Sequence, residues 1–139
     1  TIRTLHEAGI PVDILIAPVI PVLTDTELEN IITACAEAGA GSIQYLLLRL
    51  PREVSALFED WLTTHYPDKA EHVMNRIRDS RDGKTNDARF GHRLRGHGFY
   101  AYMIAQRFKK AISRQGLNQP REPLNRDLFR PHPEQMDLF

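Results

Sequence analysis

The sequence predicts an α/β fold: a partial (β/α) barrel fragment with one parallel βαβ unit followed by C-terminal helices. Three observations lead there. Two short apolar runs rich in β-branched residues flank a segment of helical periodicity, the pattern of a right-handed βαβ crossover. After the second run, apolar residues recur only at helical spacing. Finally, two parallel strands are too few to cover their own faces and edges, so they belong to a larger sheet or pair with a second copy.

The elements follow in order. Residues 2–8 read as the end of a helix, stopped by Gly9 with Pro11 just beyond. Residues 12–20 form a buried strand, and Pro18 and Pro21 mark its end and an irregular exit. Thr24-Asp25-Thr26-Glu27 has the form of a capping box, with hydroxyl and carboxylate each satisfying the other residue's N–H. Leu28, Ile31, Ile32, Cys35 and Ala38 then keep helical spacing until Gly39 and Gly41. Residues 42–50 are the second strand. Pro51 suits a first helical position, and Val54, Leu57, Phe58, Trp61 and Leu62 form an amphipathic stripe. Pro67 interrupts, and Ala70, Val73, Met74 and Ile77 form the next stripe. Residues 79–98 are polar and glycine-containing, a long irregular loop of the kind that carries function. Helix returns over 99–115, with Gly116 as its stop, and 118–139 is an extended proline-rich tail. Three portions result: 1–66 as the βαβα part of a barrel, 67–117 as a helical extension with a basic loop, and 118–139 as tail.

Composition narrows the classes. Of 139 residues 42% are apolar and 26% charged, a globular profile with no run of the roughly 20 apolar residues a spanning helix needs. One cysteine, Cys35, excludes an internal disulfide and a zinc or iron–sulfur site built from several cysteines of this chain. On its helical stripe, Cys35 reads as a small core residue. The chain opens on Thr1 without a signal-peptide pattern, so the expectation is a piece of a longer, cytoplasmic protein. The zero net charge hides a division. Residues 1–70 carry four basic against ten acidic side chains, and residues 71–130 carry fourteen against six. Such asymmetry fits a polyanion-facing surface, or a solvated helical face.

Several motifs together resemble a family. Leu5-His6-Glu7-Ala8-Gly9-Ile10-Pro11-Val12, Ala17-Pro18-Val19-Ile20-Pro21 and Thr24-Asp25 look like the later barrel units of radical S-adenosylmethionine enzymes, in the branch related to spore photoproduct lyase. Leu48-Arg49-Leu50-Pro51, Asp87-Ala88-Arg89-Phe90-Gly91 and Arg93-Leu94-Arg95-Gly96 resemble the C-terminal part of that branch. The resemblance implies a parent with S-adenosylmethionine and a 4Fe–4S cluster, the latter held by a CxxxCxxC loop that this chain lacks. Alone, the chain is expected to bind no cluster and to be inactive. The resemblance places adenosine contacts at Ile20, Pro21 and Leu50, at the C-terminal strand ends where α/β sheets bind ligands. Their alternative is packing. Many relatives carry glycine where this chain has Val22, which counts against close backbone approach there.

Three further features bear on partners. Arg49, the lone charge in its strand, suits a bidentate clamp on a carboxylate or phosphate, or a pair with Asp13. Lys84, Arg89, Arg93 and Arg95 are interleaved with Phe90, His92, His97, Phe99 and Tyr100, which suits phosphate neutralisation and base stacking on DNA. The alternative is a structural network with Asp79, Asp82 and Asp87. No metal is expected at His92 and His97, whose spacing across glycines is not a ligand pattern. Gln135, Met136, Leu138 and Phe139 resemble the short peptide by which bacterial DNA-maintenance proteins bind the replicative sliding clamp; a chance apolar terminus is the alternative. The functional expectation is the C-terminal portion of a radical S-adenosylmethionine enzyme, acting on damaged DNA or another substrate. Its competitor is a non-enzymatic nucleic-acid or clamp-binding adaptor.

Overall fold

A computed structural model describes residues 1–119 together with Asp127 and Arg130. The chain is mixed α/β. Helix α1 (Ile2–Glu7) leads to strand β1 (Asp13–Val19), helix α2 (Leu28–Glu37) and strand β2 (Ser42–Leu47). Helices α3 (Val54–His65), α4 (Pro67–Asp79) and α5 (Gly98–Arg114) follow. The strands pair in parallel, Asp13 opposite Ser42 and Ile16 opposite Tyr45, with an irregularity between Ile16 and Val19 where the Ala17–Pro18 peptide is cis. Two strands alone do not trace a barrel wall.

Alternation decides which sheet face is covered. Ile43, Tyr45 and Leu47 of β2 are buried against α2 and α5, with Ile14 and Ile16 of β1 beside them. Leu28 and Ile32 of α2 and Ile104 and Phe108 of α5 complete this core. Each such side chain contributes roughly 1.5–3 kcal/mol through burial. The opposite face is bare: Leu15 is 56% exposed. A second core joins Leu62 of α3 to Val73, Met74 and Ile77 of α4 and to Leu50, with Ile20 and Val22 packed against it. Cys35 is half-buried against the first core, and burial pushes its thiol pKa up.

Two local expectations need correction. The capping box does not form. Thr24 Oγ1 accepts the N–H of Ile20 at 2.8 Å, folding back on the preceding loop, and Glu27 Oε2 accepts from Asn30 Nδ2 at 3.0 Å. A single 3-10 turn, Asp25–Glu27, then leads into α2. The second strand stops at Leu47 and not at Leu50, because the Leu50 N–H turns to the Thr85 carbonyl at 2.9 Å. Pro67 interrupts as expected, separating α3 from α4, and stands as the first residue of α4, where its missing N–H costs nothing. The tail expectation over 118–139, including the clamp-like Gln135, Met136, Leu138 and Phe139, falls largely outside the described residues.

A polar network fixes α5 to the loop after β1. The Tyr100 hydroxyl donates to buried Asp25 at 2.8 Å. Arg107 donates to Glu29 at 2.6 and 2.7 Å and to the Asp25 carbonyl at 2.7 Å. Burial and the adjacent Asp25 carboxylate push the Tyr100 pKa up, and the Arg107 guanidinium pulls Glu29 down.

Candidate functional site

Residues 80–97 hold neither helix nor strand, as the sequence predicts, yet the loop is firmly placed. Its ends meet: the His97 N–H donates to the Ser80 carbonyl at 3.1 Å. Gly96 allows that closure, since a Cβ there would stand 2.9 Å from the Ser80 oxygen on a backbone with φ +69°. Between its ends the loop meets the C-terminal end of β2, where the Leu47 N–H donates to the Leu94 carbonyl at 2.9 Å. The loop therefore takes the last outward donor of β2, and no strand pairs with the rest of that edge among the described residues. Among the described residues nothing pairs with the outer edge of β1.

The anchor is Arg81, which is 1% exposed. Its guanidinium donates to the carbonyls of Leu47 and Leu48, both at 3.1 Å, and to those of His92 at 2.9 Å and Arg93 at 3.1 Å. One side chain thus ties the C-terminal end of β2 to the middle of the loop. Burial lowers its pKa, Asp87 opposes that and nearby Arg49 adds to it. Sequence reasoning missed Arg81 as an anchor. It sits in a run of similar arginines, and its acceptors are backbone carbonyls up to 34 residues away.

The basic residues divide into two sets. Arg89 is occupied: it donates to both oxygens of Asp87 and to Asp82 at 2.7 Å. Its side-chain and backbone hydrogen bonds hold Asp87 far below the usual carboxylate range. Asp82 is lowered first by His97, then by Arg89. Arg76 likewise pairs with Asp79 at 3.2 Å, so the structural network is real for these two arginines. Lys84, Arg93 and Arg95 have no carboxylate partner among the described residues; Arg93 lies 5.4 Å over the Phe90 ring and Arg95 lies 5.6 Å over the Tyr45 ring. Phe90 and Phe99 are 89% and 84% exposed beside them.

At the strand ends the resemblance-assigned residues are turned inward. Leu50 and Pro21 are buried and Ile20 is half-buried, in or against the second core. The Ile20 carbonyl already accepts from Leu23, Thr24 and Asp25. What is open instead is a groove of about 230 Å³ flanked by Ala17, Pro18, Leu48, Arg49 and Arg93. Arg49 and Asp13 lie at opposite ends of the parallel sheet, Asp13 accepting from Ser42 at 2.5 Å near the strand starts. Val22 adopts φ +68°, the left-handed conformation that glycine favours.

Two tests of fit concern metals. Cys35 lies on α2, so this chain offers no thiolate set for a cluster. Asp87, His92 and His97 do gather, each with one ligand-type atom within 4.8 Å of the others. The spacing argument missed this because the loop folds the two imidazoles to 5.5 Å. Both Asp87 oxygens already accept from Arg89, and His97 Nε2 faces Asp82, so the arrangement is that of an ion-pair cluster. No helix among the described residues is long and apolar enough to cross a membrane. No family model, no curated protein and no solved structure matches this chain.

Proposed function

We propose that the chain is the closing βα portion of a radical S-adenosylmethionine enzyme resembling spore photoproduct lyase, and that it presents a nucleic-acid surface beside the strand ends. The observation that carries this reading is the incompleteness of the sheet. The anchored loop takes only the last outward donor of β2, while both outer edges lack a strand among the described residues and one apolar face lies open. A two-stranded parallel sheet left unfinished in this way accepts further strands, as a barrel would supply them. The cluster cysteines, and the radical chemistry they support, belong to the parent. This portion contributes the groove at Arg49 and Arg93, with Lys84, Phe90 and Phe99 available to phosphates and unpaired bases. In isolation, the free β1 edge is also open to a second copy.

The adaptor reading rests on a specific observation too. Unpaired cations beside exposed aromatics bind nucleic acid without any radical chemistry. One experiment separates the two. The full-length parent is purified without oxygen, its iron and sulfide are measured, and reductive cleavage of S-adenosylmethionine to deoxyadenosine is assayed. A cluster with cleavage supports the enzyme. Folded, reconstituted protein with neither turns the assignment to the adaptor. Salt-dependent DNA affinity then distinguishes a DNA substrate from another one.

A further inference from the structure

Three aromatic rings stand out from the basic segment and belong to neither core. Phe90 and Phe99 are 89% and 84% exposed, and Tyr102 is 63% exposed. The fold gathers them. The loop doubles back so that the rings of His92 and His97 lie 5.5 Å apart. Phe90 stands two residues before the first and Phe99 two residues after the second. Tyr102 follows Phe99 by three residues on α5 and so shares its helix face. Cations are interleaved with these rings. Arg93 lies 5.4 Å over Phe90, and Arg95 lines a shallow cleft together with Tyr102. The loop's two carboxylates, Asp82 and Asp87, are both engaged by Arg89, and Asp82 also by His97, which blunts their repulsion of an anion. The same bonds place Phe90, because the N–H and guanidinium of the preceding residue, Arg89, donate to Asp87 at 2.9 and 3.0 Å.

We infer that this patch takes a single-stranded nucleic acid in preference to a duplex, its rings stacking on unpaired bases and its cations meeting the phosphates between them. The inference rests on the nucleic-acid surface proposed above and names the form of strand that surface accepts. In a duplex each base face is covered by its neighbours, and a ring enters only by unstacking a step at a cost. A single strand leaves those faces open, and every base offers one whatever the sequence. Arg93 covers one face of Phe90 and most of the ring's remaining surface is open, so a base completes a guanidinium–ring–base stack. Lys84, Arg93 and Arg95 have no carboxylate partner among the described residues and supply the charge. Along the chain Phe90, Arg93, Arg95 and Phe99 alternate ring and cation, as a strand alternates base and phosphate. A membrane-binding face segregates the two kinds of residue instead. Arg81 and the His97–Ser80 bond fix the loop before a strand arrives, so little freedom is lost on binding. Unpaired bases and phosphates are common to DNA and RNA strands.

The test uses the full chain. Fluorescence anisotropy follows a short labelled oligothymidylate, the oligouridylate, a duplex and an abasic oligomer, all of one length, and cosedimentation follows phosphatidylglycerol vesicles. The oligothymidylate is expected to bind about tenfold or more tighter than the duplex or the abasic oligomer, as base–ring stacking implies. Phe90→Ala and Phe99→Ala each weaken single-strand binding about tenfold and leave duplex affinity unchanged, while Phe90→Trp retains it. Adding Tyr102→Ala to that pair removes what preference for the single strand remains. Both phenylalanines are exposed, so their alanine variants melt with the parent chain. Arg93→Gln and Arg95→Gln each lower the slope of log affinity against log salt by about 0.7. The same dependence on both rings with thymidylate and uridylate assigns the patch to any single strand; dependence with one alone assigns the source to DNA or to RNA. A duplex or abasic oligomer bound as tightly as the single strand, or single-strand affinity indifferent to Phe90 and Phe99, overturns this inference and leaves the nucleic-acid surface standing. Salt-dependent affinity for no nucleic acid removes that surface and this inference together. Vesicle binding lost with the same two substitutions then gives the patch to lipid.

Discussion

Replacing Arg81 by methionine separates anchoring from space-filling. The substitution keeps a long side chain in a nearly dry site but removes every donor to four carbonyls. The Leu47 carbonyl bond is fully buried, and stranding that oxygen costs about 2 kcal/mol. The Leu48, His92 and Arg93 bonds are partly buried, and their loss costs about 1 kcal/mol each because water replaces some of it. Against this roughly 5 kcal/mol stands the relief of no longer desolvating a guanidinium that meets no carboxylate, an effective penalty of several kcal/mol per buried ion. The carbonyls remain behind after the charge has gone, so the balance stays unfavourable, at about 2 kcal/mol. For a chain of this size that lowers the melting temperature by roughly 5–10 °C.

The assay has a global and a local arm. Urea unfolding followed by circular dichroism gives the first. Amide exchange at Leu47, whose N–H donates to Leu94 only while the loop is seated, gives the second. Arg81→Met is expected to lower the urea midpoint and to lose protection at Leu47 while the α2 and α5 amides retain theirs. A variant as stable as the parent chain, with Leu47 still protected, refutes the claim that Arg81 holds the loop.

Three other outcomes follow from the same geometry. Tyr100→Phe removes the donor to buried Asp25 and destabilises the chain by about 2 kcal/mol, read from urea midpoints; an unchanged midpoint contradicts the network that seats α5. Glu29 is held below its ordinary 4.5 by Arg107, so its contribution to stability is present above that value and is lost as pH falls through the lower folded value. Glu29→Gln therefore flattens the acid limb of stability against pH, and an acid limb identical to the parent chain's excludes that role. A labelled peptide ending in Gln135-Met136-Asp137-Leu138-Phe139 is expected to raise its fluorescence anisotropy with a bacterial sliding clamp and to lose that signal on Leu138→Ala with Phe139→Ala. Equal binding by the double variant ends the clamp proposal.

The strands and helices were legible because they rest on local periodicity. The stripe through Val73, Met74 and Ile77 and the alternation Ile43, Tyr45, Leu47 each place their own residues in a core. The site was less legible because it rests on long-range backbone acceptors. Arg81, Arg89 and Arg93 are interchangeable in a string of letters, yet one is buried on carbonyls, one is closed by two carboxylates and one lies over a phenyl ring. The capping-box pattern failed for a related reason. Thr24 had a competing N–H four residues back, and a tight exit from β1 supplied it. The open edge was readable, since two parallel strands cannot satisfy themselves whatever their sequence.

A buried guanidinium without a carboxylate is an inefficient source of stability, so its placement calls for another explanation. An apolar side chain would fill the same volume without the desolvation penalty, but it would leave the loop free to slide along β2. The planar fork of Arg81 accepts only one arrangement of the Leu47, Leu48, His92 and Arg93 carbonyls, and so fixes the register of the loop against the strand. That register determines what the loop presents. It puts Arg93 and Leu94 beside the groove at the strand ends, and it delivers Arg95, Gly96 and His97 to the start of α5. A slip of one residue would turn Arg93 away from the groove and take His97 off the Ser80 carbonyl. The charge is thus better understood as specifying position than as adding stability, and Arg81→Met should release the loop, read as lost protection at the Leu47 amide, even where the chain remains folded.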